Sequence, residues 1–188
     1  MADHSSPSRY RSFRKIRFMN DSDIEQKAWD LVRAWLEGAT PEQWHRFAAR
    51  SNYDGNGRAL RWLLDNRNVD RATALLIYWN LGAAWFVQYA NESDLGPASY
   101  QRDTFRLLRE IEQRYADGYY ADHGIWFDPH DFDGAGPNDY PDVPVARPVP
   151  ALMLQPTDGR EYVDLEEADG YDEGLPFDVV EQLHALYD

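Results

Sequence analysis

Asp70-Arg71-Ala72-Thr73-Ala74-Leu75-Leu76-Ile77-Tyr78-Trp79-Asn80-Leu81-Gly82 is the stretch on which the fold turns. Asp70 has the short acceptor side chain of a helix N-cap. The residues behind it are apolar around the whole helical circumference, which places such a helix in the middle of a packed domain. Leu75, Leu76, Trp79 and Ala83, with Trp85 and Phe86 beyond, are the expected centre of the core, and Gly82 is expected to kink or end the helix. The uncharged run extends over nineteen residues, 72–90. A membrane span needs about 20 predominantly apolar residues. Thr73, Asn80, Gly82 and Gln88 interrupt this one, so the reading is a buried soluble helix and no membrane partner.

Upstream, Ser22-Asp23-Ile24-Glu25 has the form of a capping box, and Ile24, Ala28, Leu31, Val32, Trp35 and Leu36 follow at helical spacing. Gly38 is the expected left-handed stop. Thr40, Pro41 and Gln43 then open a second helix as cap, first helical residue and box partner, with Trp44, Phe47 and Ala48 on its apolar face. Asn52-Tyr53-Asp54-Gly55-Asn56-Gly57 is a strong turn cluster. Asn52, Asp54, Gly55 and Gly57 are read as structural turn residues, with Asp54 accepting backbone amides, and Asp70 as the cap. Two glycines before Arg58 and Arg61 also suit an anion site, but no strand precedes them and no Lys-Ser/Thr follows, so this is no phosphate loop. A helix over 59–65 and another over 100–116, stopped by Gly118, complete a helical set. Trp29, Trp35, Trp44, Trp62, Trp79 and Trp85 are read as core.

Beyond Gly118 the pattern changes. Ile125-Trp126-Phe127 suits a short strand, residues 128–148 a long acidic loop with five prolines, and Pro156-Thr157-Asp158-Gly159 a hairpin turn between 151–155 and 160–165. A last helix is expected over 176–187, with Phe177, Val180, Leu183 and Leu186 inward.

The 188 residues carry a formal charge of −14, unevenly spread. Residues 115–188 hold Arg147 and Arg160 against 18 acids, a net of −16. Such a surface repels nucleic acid and attracts cations or basic protein faces. With no cysteine in the chain, disulfides, thiolate chemistry and Cys-based metal sites are excluded. Residues 1–20 are basic (Arg9, Arg11, Arg14, Lys15 and Arg17 against Asp3) and lack the apolar core of a secretory signal, so a flexible arm and a cytoplasmic location are expected.

The carboxylates of 122–142 invite a cation. Taking Asp131 as position 1 of a twelve-residue calcium loop puts Asp133, Gly136, Asp139 and Asp142 at positions 3, 6, 9 and 12. Ala135 stands where a ligand belongs, the last position lacks Glu, and Pro137 and Pro141 preclude flanking helices, so no tight calcium site is expected. His123, His130 and Asp128 are the residues a transition metal would use. No nucleophile elbow or His-Glu-x-x-His occurs, and no cofactor motif.

Phe47-Ala48-Ala49-Arg50-Ser51-Asn52-Tyr53-Asp54-Gly55, then Leu60-Arg61-Trp62-Leu63-Leu64, Asn66-Arg67-Asn68-Val69-Asp70 and Ala72-Thr73-Ala74-Leu75-Leu76-Ile77-Tyr78-Trp79, resemble a bacterial family known as domain of unknown function 4274. Its pattern is an Asn-aromatic-Asp-Gly turn, then an Asp opening an Ala-Leu-rich helix that ends in aromatics. The resemblance covers roughly residues 40–120 and implies a compact helical module in a bacterial cytoplasmic protein. It carries no catalytic residue.

The expected architecture is mainly α: a compact domain of about five helices over residues 21–118, with an acidic loop, a small β-hairpin and a C-terminal helix over 119–188 packed on it. The expected function is binding rather than catalysis, with the protein occupying a basic surface of a protein partner as an inhibitor or immunity protein does. Trp126, Phe127, Asp128, Asp131, Asp133, Asp139, Tyr140 and Asp142 are the expected contact residues, aromatics beside charge being what interface hot spots use. A metal-dependent hydrolase or metal-binding protein using the 122–142 carboxylates is the alternative.

Overall fold

A computed structural model describes residues 21–97, 99–165 and 170–187. The basic arm expected over 1–20 lies outside them. Among the described residues the chain forms helices α1 (Asp21–Gly38), α2 (Pro41–Arg50), α3 (Gly57–Asp65), α4 (Arg71–Asn80), α5 (Ala83–Phe86), α6 (Ser99–Ala116) and α7 (Phe177–His184), and strands β1 (Tyr171–Asp172) and β2 (Leu175–Pro176). The protein is mainly α.

α4 is the hub. Ala72 through Trp79 are all buried, and α2, α3 and α6 pack around them. Asp70 caps the helix by accepting the Ala72 amide at 2.7 Å. Gly82, at φ +82°, ends α4, a conformation that costs any residue with a Cβ. The uncharged 72–90 run is therefore two short helices around a turn, and among the described residues no helix is long and apolar enough to cross a membrane. The Thr40 box on α2 forms as expected: Gln43 N donates to Thr40 Oγ1, and Thr40 N to Gln43 Oε1. Trp44 ties α2 to α1 by donating its indole N–H to the Leu36 carbonyl at 2.8 Å.

Several expectations are corrected. Ser22 lies inside the first turn of α1 rather than ahead of it, because the helix already includes Asp21. Gly38 belongs to α1 and has no positive φ. Gly57 is the first residue of α3 rather than part of the turn. The stretch 125–127 makes one isolated parallel bridge, Ile125 with Glu161, in place of a strand.

The hairpin is present but elsewhere. Residues Ala151–Leu154 form a 3₁₀ turn, since the Met153 carbonyl is taken by the Trp79 indole at 3.0 Å. Thr157 pairs with Phe127. The antiparallel pair is β1 with β2, joined through Glu173 and Gly174, both at positive φ. On α7 the buried residue is Val179, while Phe177 is about half exposed.

The C-terminal third is a strap over the helices, with Tyr120, Ile125, Phe127, Met153, Val163 and Leu175 in the same core as α4. Two clasps hold it. Ala121 N donates to Val69 O and Arg71 N to Ala121 O at the head of α4. Arg147 then donates to both oxygens of Glu112 on α6, at 3.2 and 2.7 Å, while Ala146 and Arg147 donate backbone amides to Val87 O.

Candidate functional site

The strap and α2 enclose a cleft of about 290 Å³, lined by His45, Ala49, Arg50, Trp126, Phe127, Asp128, Asp131, Phe132, Asp133, Tyr162, Val163 and Leu165. Sequence alternation builds one wall. Ile125 and Phe127 point inward and are buried, so Trp126 between them faces the cleft, half-buried, with its ring 6.2 Å from that of Tyr162. Phe127 is 3% exposed and stacks edge-on against Phe132 at 4.8 Å. It is a core residue, which corrects its expected role as a surface contact.

His45 contributes to the cleft lining from α2. It is 1% exposed, with Nδ1 3.0 Å from Thr73 Oγ1 and its ring 6.0 Å from Phe127. Burial lowers its pKa to about 4, so the ring is neutral at physiological pH. Its Nε2 has no hydrogen-bond partner among the described residues. Arg50, the cation of the lining, is committed: its Nε donates to the Leu165 carbonyl. Arg46 does the same to Asp164 O at 3.2 Å, so the two arginines of α2 hold the 164–165 segment in place.

The acids follow a different logic. Asp131, Asp133, Asp139 and Asp142 are exposed, and Asp128 is half-buried. Asp128 Oδ1 accepts the His130 amide at 2.9 Å and Asp139 Oδ2 the Gly136 amide at 3.2 Å, so each stabilises its own turn. Among the described residues, none of these five carboxylates forms an ion pair. The pairs that form include those of Glu37, Asp65, Glu92, Asp103, Glu110 and Glu112. No group of three or more His, Asp and Glu residues is placed to hold a metal ion among the described residues. Tyr140 stands beside the acids, about half exposed, its ring 5.3 Å from Trp85 and its backbone at φ +56°. A bulky residue held in that conformation is a strained one, kept there by its surroundings.

The turn residues behave as scaffolding, with one exchange. Asn52 Oδ1, rather than Asp54, accepts the turn amides, those of Asp54 and Gly55 at 3.1 and 3.3 Å, and Asp54 points to solvent. Asn56 then leads into α3, and Asp70 opens α4. This succession of turn, cap and central helix is the pattern the sequence resemblance rested on. Residues 39–116 match the family model of Domain of unknown function (DUF4274).

The matched segment runs from the cap of α2 to the end of α6. It supplies His45, Ala49 and Arg50 to the cleft, whereas Trp126, the aspartates and Tyr162 come from the strap outside it. No curated protein and no solved structure matches the chain. Sequence reasoning singled out Trp126, Asp128, Asp131 and Asp133, and the structure brings them together. His45 escaped it, and Tyr162 stood only among the aromatics interspersed with the acids, not among the expected contact residues. The buried His on the apolar face of α2 was the available signal.

Proposed function

We propose that this is an acidic binding protein that seats on a basic surface of a protein partner, in the manner of a cytoplasmic bacterial inhibitor or immunity protein. The observation that carries the reading is the state of the strap's carboxylates. Asp128, Asp131, Asp133, Asp139 and Asp142 stand on a core-anchored segment, without ion pairs among the described residues, next to Trp126 and Tyr140. A solubilising tail has no need of fixed geometry or of aromatic anchors beside its charge. A partner's lysines and arginines would relieve the mutual repulsion of these acids, and the aromatics would bury area against it.

Capture of partners from source cells, followed by affinity measurement on the purified pair, tests this. Affinity is expected to fall by tenfold or more as salt rises from about 0.1 to about 1 M, where the Debye length shrinks from about 10 to about 3 Å. It is expected to fall comparably when Asp131, Asp133, Asp139 and Asp142 are all changed to Asn. A partner bound equally well under both changes overturns the reading.

A further inference from the structure

The cleft beside Trp126 is built for one kind of visitor. The carboxylates of Asp128, Asp131 and Asp133 stand on its rim, and the imidazole of His45 lies in its lining. Its ring shares one hydrogen bond with Thr73 Oγ1 through Nδ1, and Nε2 is unpartnered among the described residues, on a residue 1% exposed. A polar atom left in this way is open to a partner from the cleft. Among the described residues Arg50 is the cation of the lining; its Nε donates to Leu165 O, and its single charge offsets only one of the three carboxylates. The remaining wall is aromatic, from Trp126, Phe132 and Tyr162. At about 290 Å³ the cleft lies at or below the lower end of small-molecule sites. That is room for a side chain rather than a cofactor.

We infer that this cleft receives a single arginine side chain of the basic partner, its guanidinium stacked on Trp126 and Tyr162 and held by Asp131 and Asp133, with His45 in the tautomer that leaves Nε2 as an acceptor. The inference rests on the binding function proposed above and names the residue recognised. Arginine fits better than lysine on three counts. Its planar head stacks on aromatic faces, its five donors in a fixed fork reach several acceptors at once, and it is more weakly hydrated than an ammonium.

The test uses a blocked peptide with one arginine between glycines, with counterparts carrying lysine or neutral citrulline, titrated into the full chain and followed through the backbone amide NMR signals of residues 131–133. The arginine peptide is expected to bind about fivefold or more tighter than the lysine peptide, and the citrulline peptide not at all. Asp131→Asn with Asp133→Asn should weaken arginine binding about tenfold and Trp126→Ala about fivefold. Asp54→Asn with Glu181→Gln, which removes the same charge at exposed positions outside the cleft, should change it by less than about twofold. Dispersed amide spectra of each variant confirm folding. Equal binding of arginine and lysine, or equal loss in both double variants, overturns the cleft and leaves a diffuse acidic surface, with the proposed function intact. No arginine binding at millimolar concentration overturns it too. Failure of the binding function shows separately, as salt-independent capture of the partner.

Discussion

Asp70 and His123 are joined by a 2.6 Å hydrogen bond from the His123 amide to Asp70 Oδ2, while Oδ1 of the same carboxylate accepts the Ala72 amide at 2.7 Å. One side chain, 1% exposed, thus caps the central helix and fixes the start of the strap that carries the proposed binding face. Burial raises its pKa, and the amides of Ala72, His123 and Ile125 oppose that rise.

Asp70→Ala removes a cap and strands a second amide. A cap alone is worth about 0.5–2 kcal/mol, and an unsatisfied buried amide adds about 1–3 kcal/mol. Urea denaturation should show a loss of about 2–4 kcal/mol, and hydrogen exchange should speed at His123 as well as Ala72. Unchanged exchange at His123 would show that the strap is held without Asp70.

His45 gives the protein a pH dependence of known sign. Its pKa is about 4 folded against 6.5 for the free group, so between these values the unfolded chain holds more protons than the native one. Stability from this residue is fully present above about pH 6.5 and is lost as pH falls toward 4, by about 3 kcal/mol in all. Denaturation at pH 7 and pH 5 checks it, with a shallower pH slope expected for His45→Gln.

Arg147 and Glu112 form the second clasp. Burial pushes Glu112 up to about 7 against an ordinary 4.5, while the Tyr78 hydroxyl at 2.9 Å favours its charged form. Arg147→Ala leaves that carboxylate with Tyr78 and Arg109, at a cost of about 1–3 kcal/mol because Arg147 is itself a third exposed. In the wild-type chain the native state holds a proton that the unfolded state lacks between about pH 4.5 and 7, so stability from Glu112 falls as pH rises through that window, and loss of the Arg147 charge should steepen the fall. Limited proteolysis should cut within 128–150 before the helices.

Gly159 lies against the 124–125 backbone so closely that a Cβ there would sit 2.2 Å from the Ile125 carbonyl oxygen. Gly159→Ala should separate the two segments that carry Tyr162 and Trp126. The expected cost is about 2 kcal/mol or more, read as a lowered urea midpoint together with faster exchange at the Trp126 amide, which donates to Glu161 O.

The helices were legible because their signals are local. Thr40, Pro41 and Gln43, or Asp70 before an all-apolar run, need no distant partner to be read. The strap was legible only in its composition. The Pro156-Thr157-Asp158-Gly159 turn has the right residues, yet its flanks spend their hydrogen bonds on Trp79 and Phe127, partners far away in sequence. The true hairpin has two-residue strands, too short to show alternation. At the site, Trp126 and the aspartates stood out as aromatics beside charge. His45 joined them only through packing of the strap on α2, which no periodicity announces.

The most direct test of the binding face is hydrogen-exchange footprinting of the full chain with its captured partner. Protection on complex formation is expected in 126–142 and around Tyr162, and is expected to vanish when Asp131→Asn and Asp133→Asn are combined with Trp126→Ala. Protection confined to α1, α3 and α7, with 126–142 exchanging as in the free protein, would contradict the account.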